Sequence, residues 1–276
     1  MKTKVPLEFQ GKRIAYPKHL LWTWIFTPFF LIDLILEELL IFFPHLYNKF
    51  FRINIKNKKS CLNIRKNGFV VINKYFNQNQ LEIIKDKINL LKIDLLKKNL
   101  INKKEIEGSI RFKFLIPPSK EISKIVNFPN LKNIYKSYKF KKPSITWMES
   151  LTESINMDQP IFASHPHIDS YRHQLKFVIA LEDVGFENGP TEYLQRSHKL
   201  NLQLLISYFL TWIYEKKIIR GRKQFLPSNV IKDYRKKNKN LITLKRGDLF
   251  IFNSRGLHRG TEILSGSRNL LWFYFD

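Results

Sequence analysis

The stretch HPHIDSYRH, residues 165–173, holds the tripeptide His167-Ile168-Asp169, and the reading of the chain starts there. In an extended backbone, residues two apart project from the same face, roughly 7 Å apart along the strand. One imidazole and one carboxylate therefore converge on a shared point. A further histidine from another strand would complete a set of two histidines and one carboxylate on one side of a metal, a geometry that suits Fe(II) and leaves positions open. His258 is the candidate, in the run GDLFIFNSRGLHRG, an apolar strand-like stretch ending in a histidine.

Outward from this centre, the sequence reads as many short strands separated by turn signals. NGFVVI (67–72), GSIRFKFLIPPSKE (108–121) and SITWMES (144–150) come before it. HQLKFVIALEDV (173–184), LITLKRGDLFIFNS (241–254), LHRGTE (257–262) and SRNLLWFYFD (267–276) come after it. The last is apolar on both faces, as expected deep between layers. Helical periodicity concentrates earlier: Asn77 can cap a helix from about Gln80 to Lys98, with Leu81, Ile84, Ile88 and Leu91 at helical spacing. This pattern predicts a mainly β protein with helical decoration, a jelly roll.

Two apolar stretches stand apart. Leu20 to Phe43 could cross a bilayer by length, but Pro28, Asp33, Glu37 and Glu38 interrupt it. On a helical wheel Thr23, Thr27, Asp33, Glu37 and Glu38 share one arc, which describes a helix lying in a membrane interface or docked on a protein core. Lys18, Lys49 and Arg52 flank it and suit anionic head groups. Phe51 to Ser60 reads as a basic, turn-like linker. The second stretch, Leu200 to Lys223, reads as a helical insertion over about 200–240 that could be a lid, a membrane-facing surface or outer packing. The expected organisation is an N-terminal segment, 1–60, that could anchor at a membrane, and a catalytic domain, 61–276.

The 276 residues carry a net charge of +25 and a single cysteine, Cys61. One cysteine excludes an internal disulfide and a multi-cysteine zinc site, and fits a reducing, cytoplasmic setting. The charge predicts attraction to polyanions. Lysine is scattered and no nucleic-acid motif accompanies it, so most of the excess reads as solvated surface and nucleic acid is an unexpected partner. HExxH, a GxSxG elbow and a glycine-rich phosphate loop are absent from the sequence, which argues against a zinc hydrolase, a serine hydrolase and a nucleotide enzyme. His165-Pro166-His167 lacks the glutamate that a cupin metal site would need soon after it.

Five features in order carry a resemblance: NGFVVINKYF with its helix, His167-x-Asp169, NGPTEYLQRSHK, GDLFIFNSRGLHRG, and Arg268 ten residues after His258. From about Lys66 to Asp276 the chain resembles the phytanoyl-CoA dioxygenase family of Fe(II)- and 2-oxoglutarate-dependent oxygenases. The resemblance implies a double-stranded β-helix, the jelly-roll form related to cupins, in which His167, Asp169 and His258 hold iron. Arg268 would grip the distal carboxylate of 2-oxoglutarate, a role that suits a planar guanidinium. Family members often place a hydroxyl residue shortly after the second histidine; here Gly260 stands there and Thr261 follows as the candidate. Where the family shows Pro-Gly before Ser-His, this chain has Gln195 and Arg196. Asp169 excludes the halogenating branch, in which a small residue leaves room for chloride.

The implied reaction hydroxylates an unactivated C–H bond of a small-molecule or lipid-like substrate, using O2 and converting 2-oxoglutarate to succinate. Arg111, Lys113 and Trp147 are expected to line the pocket, and His165 and His173 to flank the ligands without binding metal. The alternative from another class is a non-catalytic basic jelly roll that binds an anionic membrane surface or nucleic acid.

Overall fold

The computed structural model describes residues 58–106, 109–115, 118–139, 145–153, 166–170, 173–200 and 239–275, with positions 32, 35, 36, 38, 39 and 202 besides. Two antiparallel sheets face each other. The larger has seven strands in the order β1-β8-β5-β10-β4-β3-β2, and the smaller has three, β7-β6-β9. The strands are β1 Phe69–Ile72, β2 Ile101–Ile106, β3 Ser109–Phe114, β4 Ile145–Glu153, β5 Leu175–Ala180, β6 Thr191–Tyr193, β7 Asn240–Ile242, β8 Leu249–Asn253, β9 His258–Gly260 and β10 Ser267–Phe275. Four helices accompany them: α1 Lys58–Asn67, α2 Gln78–Lys97, α3 Lys120–Ile125 and α4 Phe128–Lys139.

Side-chain alternation divides the large sheet into two working faces. Phe177, Ile179, Leu271, Phe273 and Phe275 point to the helices, where they pack with Cys61, Ile64, Leu81, Ile84, Leu131 and Tyr135. Val178, Ala180, Phe250, Phe252 and Leu270 point to the small sheet and meet Tyr193, Ile242 and Leu244. Register fixes the phase, since Tyr274, Trp272 and Leu270 on β10 stand opposite Lys176, Val178 and Ala180 on β5. The helices thus cover one face, and the small sheet leaves room on the other for a site.

Local sequence explains the helix ends. Asn77 accepts from the Gln80 backbone N–H while the Gln80 side chain accepts from the Asn77 N–H, a capping box that starts α2 at Gln78. Gly68 ends α1 at φ +94, and a Cβ there would stand 2.4 Å from the Tyr193 hydroxyl.

Several expectations change. Lys58–Ser60 belong to α1 and are no linker. The basic stretch after Pro118 forms α3 and α4, and β2 pairs with β3 as a hairpin that periodicity did not announce. The two strands read in GDLFIFNSRGLHRG are present, and they lie in different sheets: β8 stops at Asn253, and His258 opens β9 in the smaller one.

Of the N-terminal apolar stretch, residues 32, 35, 36, 38 and 39 are described, all helical. Glu38 reaches inward, where its carboxylate accepts from Arg255 at 2.7 Å and from the Leu200 N–H at 2.9 Å. Ile32, Ile35, Leu36 and Leu39 stay exposed. Most of the 200–240 insertion and His165 lie outside the described residues. Among the described residues, no helix is long and apolar enough to cross a membrane.

Candidate active site

His167 and His258 are joined through their backbones, each N–H donating to the other's carbonyl at 3.0 Å. The Asp169 N–H donates to the Ser254 carbonyl at 2.9 Å. This stitching brings two distant segments together with their side chains on one side. Ligating atoms of His167, Asp169 and His258 all lie within 4.8 Å of one another. His258 Nε2 stands 3.0 Å from Asp169 Oδ2, and His167 Nε2 3.9 Å from Asp169 Oδ1.

The tautomer follows from the other ring nitrogen. His258 Nδ1 donates to the Gly256 carbonyl at 2.8 Å, so in the neutral ring Nε2 carries the lone pair. That nitrogen and the Asp169 oxygen lie side by side at 3.0 Å, placed so that both could donate to one metal ion. Two imidazoles and one carboxylate, converging from one side, fit a divalent metal with positions left for other ligands.

The turn from Ser254 to Leu257 positions His258 and is held at several points. Ser254 Oγ donates to Gln174 at 2.9 Å, Ser197 Oγ accepts from the Leu257 N–H at 2.7 Å, and Tyr193 donates to the Asn253 carbonyl at 2.9 Å. A Cβ on Gly256 would fall 1.8 Å from the Tyr193 hydroxyl, so this turn requires glycine. Ser197 belongs to LQRSHK, whose departure from the expected Pro-Gly has a visible consequence: Arg196 sits at φ +66, the region glycine occupies more easily. His198 is buried away from the cluster, with Nε2 donating to the Arg65 carbonyl at 3.0 Å. Burial, followed by the charge of His173, depresses its pKa to about 3.

Lys176 is the residue that pattern reading missed. It projects from β5 into the site, and its ammonium donates to Asp169 Oδ2 at 2.6 Å. The rings of Tyr274, Phe252 and Trp272 surround it at 4.9, 5.6 and 5.8 Å. Burial opposes the Asp169 charge, but Lys176, His258 and His167 outweigh it and hold the carboxyl well below its ordinary pKa. The signal was present in LKFVIA, a strand buried at every position that nonetheless contains a lysine.

Arg268 lies on the same face of β10, donating to the Gly189 carbonyl. Burial and the nearby Arg111 pull its pKa down to about 10. Gly189, at φ +71, lets the NGP turn approach: a Cβ would lie 3.3 Å from Arg268 Nη1 and 2.8 Å from the Thr261 carbonyl. The Thr261 hydroxyl donates to the Pro190 carbonyl at 2.8 Å. Its proton is engaged with the turn, which argues against its donating to a carboxylate.

Of the expected pocket residues, Arg111 shares the face of Arg268 and Lys176, and Lys113 follows on that face but is exposed. Trp147 does not line the pocket. It is 1% exposed and stacks between Phe114, at 3.8 Å, and Phe273, at 6.1 Å, on the helix side. Alternation along β4 gives the site side to Thr146 and Met148 instead. His173 is fully buried, near Tyr138, Asn253, Arg255 and Glu38, and does not join the cluster.

The profile of the family described as Phytanoyl-CoA dioxygenase (PhyH) matches residues 64–269, a span that includes all three clustered ligands and Arg268. The chain belongs to the phytanoyl-CoA dioxygenase family. That family is one of Fe(II)- and 2-oxoglutarate-dependent oxygenases that use O2. Solved structures share its mainly β, cupin-like sandwich. The non-heme alpha-ketoglutarate-dependent carbocyclase SnoK from nogalamycin biosynthesis superposes with a TM-score of 0.56 at 15% identity, covering 81% of this chain and 86% of that one. The epimerase SnoN, solved with Fe3+, alpha-ketoglutarate and nogalamycin RO, gives 0.54 at 14%, covering 79% and 83%. EctD from S. alaskensis, in its apo form, gives 0.54 at 14%, covering 80% and 77%. Identities this low speak for the fold alone. Among curated sequences, Protein Ycf2 of Physcomitrium patens is 26% identical over 274 residues; the match covers 84% of this chain but 12% of that protein.

Proposed function

We propose that this family member hydroxylates an unactivated C–H bond of a small-molecule substrate, with His167, Asp169 and His258 holding Fe(II) and Arg268 holding the distal carboxylate of 2-oxoglutarate. The observation that carries the reading is the convergence of those three ligands within 4.8 Å, in a chain whose family uses that metal. Bound there, ferrous iron with 2-oxoglutarate and O2 supplies the oxidising chemistry that converts C–H to C–OH as 2-oxoglutarate becomes succinate and CO2.

The protein's own contribution is positional. Gly256 sets the His258 tautomer through its carbonyl, and the Ser254–Leu257 turn fixes the ring. Arg268 offers a partly buried guanidinium, so a carboxylate gains more there than at the open surface. Thr261, together with Gly189 and Pro190, shapes the wall against Arg268 and acts as a positioning residue. Phe252, Trp272 and Tyr274 enclose Lys176 beside the three ligands and would keep water from that side of the cluster. The sandwich supports a double-stranded β-helix within a catalytic domain of residues 61–276.

Anaerobic titration of metal-free protein with Fe(II) and 2-oxoglutarate tests this through the visible charge-transfer band of the chelate. The band is expected in wild type, lost in Asp169→Ala and weakened in Arg268→Ala. A folded wild type with no band refutes the assignment.

Peripheral membrane contact is a second proposal, supported by the outward turn of Ile32, Ile35, Leu36 and Leu39, one helical stripe at 44–52% exposure. Together with the charge of +25 it predicts binding to anionic vesicles that weakens with salt and with Leu36→Glu. Wild type that ignores such vesicles at low salt removes the proposal, and with it the preference for a lipid-like substrate.

A further inference from the structure

A lysine beside three metal ligands needs a reason. Lys176 is 9% exposed, enclosed by three aromatic rings, and its ammonium stands 2.6 Å from an oxygen of the ligand carboxylate. Burying a charge on an otherwise apolar strand is costly, and alanine or valine would fill the position without that cost. The alternation of β5 confirms the contrast, since Val178 and Ala180 occupy the next two positions on the same face.

Charge counting shows what the lysine does. Asp169 brings −1 and Lys176 +1, so the pair is neutral before any metal arrives. Arg268 and Arg111 add positive charge nearby, and Arg111 acts electrostatically on both Lys176 and Arg268. A divalent cation entering alone would meet one carboxylate whose field is already answered, with three cations around it. A dicarboxylate arriving with the metal brings −2 into the same low-dielectric space and cancels the charge the metal adds. Without Lys176, the metal would find the full charge of Asp169 and need the dianion less.

We propose that Lys176 makes metal binding conditional on 2-oxoglutarate: it answers the Asp169 charge when the site is empty of metal, and opposes a bare divalent ion until the dianionic cosubstrate comes with it. The proposal rests on the reading of the cluster as an Fe(II) and 2-oxoglutarate site. The coupling is reciprocal, because whatever factor 2-oxoglutarate adds to metal affinity, the metal adds to 2-oxoglutarate affinity. Lys176 acts through Asp169 and is a positioning residue for the metal.

Direct binding tests it without turnover. Mn(II) affinity of the metal-free protein is measured by calorimetry with and without saturating 2-oxoglutarate, in wild type, Lys176→Met and Lys176→Arg. Methionine keeps an unbranched side chain against the three rings while removing the charge; arginine keeps the charge. Wild type is expected to bind Mn(II) at least about tenfold more tightly when 2-oxoglutarate is present, within the usual range of coupling between sites. Lys176→Met is expected to bind Mn(II) alone about tenfold more tightly than wild type and to lose most of the enhancement, with Lys176→Arg keeping it. The direction discriminates, since a variant that merely damaged the site would bind metal more weakly. Tight wild-type binding that Lys176→Met leaves unchanged or weakens overturns this proposal alone. Absence of metal binding in folded wild type overturns the metal-site reading and this proposal with it.

Discussion

Substituting Glu38→Gln tests whether the N-terminal helical segment is part of the folded core. Arg255 is fully buried, and the Glu38 carboxylate, 2.7 Å from its Nη1, is its ion-pair partner among the described residues. Burial alone would raise the Glu38 pKa, but the hydrogen bond to His173, the charges of Arg255 and His173, and the Leu200 N–H reverse this and lower it from 4.5 to about 2. At about 1.4 kcal/mol per tenfold, that preference for the charged form is worth roughly 3 kcal/mol. Leaving Arg255 buried without its partner costs about 3–5 kcal/mol on general grounds, and the 18% exposure of the Glu38 side chain argues for the lower end. Urea unfolding at neutral pH should therefore show a loss of about 3 kcal/mol in Glu38→Gln. The double variant with Arg255→Met should lose less than the sum of the two single variants. Acid titration adds a sign. Because the folded pKa lies below 4.5, the stabilisation is whole above that pH and fades as pH falls toward 2, and the Gln variant should lack that part of the slope. A loss within about 0.5 kcal/mol, the size of an ordinary surface substitution, would refute the buried pair and the docking of this segment.

Other perturbations address the site and its scaffold. Gly189→Ala places a Cβ 2.7 Å from Ile263 at φ +71, and should destabilise by about 1–3 kcal/mol and weaken 2-oxoglutarate binding, measured by thermal unfolding and by titration of the chelate band. Trp147→Phe should cost about 1–3 kcal/mol in urea and leave the band position unchanged, since the indole stacks on the helix side; a shifted band would return Trp147 to the pocket wall. His198, held neutral with a pKa near 3, should make stability fall as pH drops from 6.5 toward 3, because only the unfolded chain gains that proton. His198→Asn should flatten that interval, and a wild-type curve flat across it would contradict the depressed pKa.

Legibility in the sequence depended on what each residue's role requires. His167, Asp169 and His258 could be picked out because ligand chemistry restricts residue type and spacing, and the structure brings them together; Arg268 was picked out through the family resemblance. Strands β1, β5, β8 and β10 were visible as apolar runs. Trp147 was misjudged because a strand with apolar residues on both faces hides its phase, and only the pairing of β4 with β10 shows that Thr146 and Met148 share the side of Tyr274 and Trp272. Helices α3 and α4 were obscured by prolines and lysines whose tolerance depends on the apolar face beneath them. Lys176 escaped notice because a lone lysine is usually solvated, and its partner Asp169 lies in a different local segment. Glu38 escaped for the same reason at longer range, 217 residues from Arg255.

The Glu38–Arg255 pair also connects the N-terminal segment to the turn that carries His258. Arg255 and Gly256 belong to the turn that delivers His258. One end of that turn is held by Asn253, which bonds Tyr138 at 2.8 Å, and the other by Ser197 at Leu257. Glu38 grips Arg255 through its Nη1 at 2.7 Å. The imidazole of His258 is therefore oriented by a turn whose charged anchor comes from outside the sandwich. Loss of that anchor should loosen the ring as well as lower stability, and weaker metal binding in Glu38→Gln, under conditions where the protein stays folded, is the sign to seek. Equal metal affinity in the two proteins would mean that Asn253, Ser197 and Tyr193 suffice to hold the turn, and that Glu38 serves the fold alone.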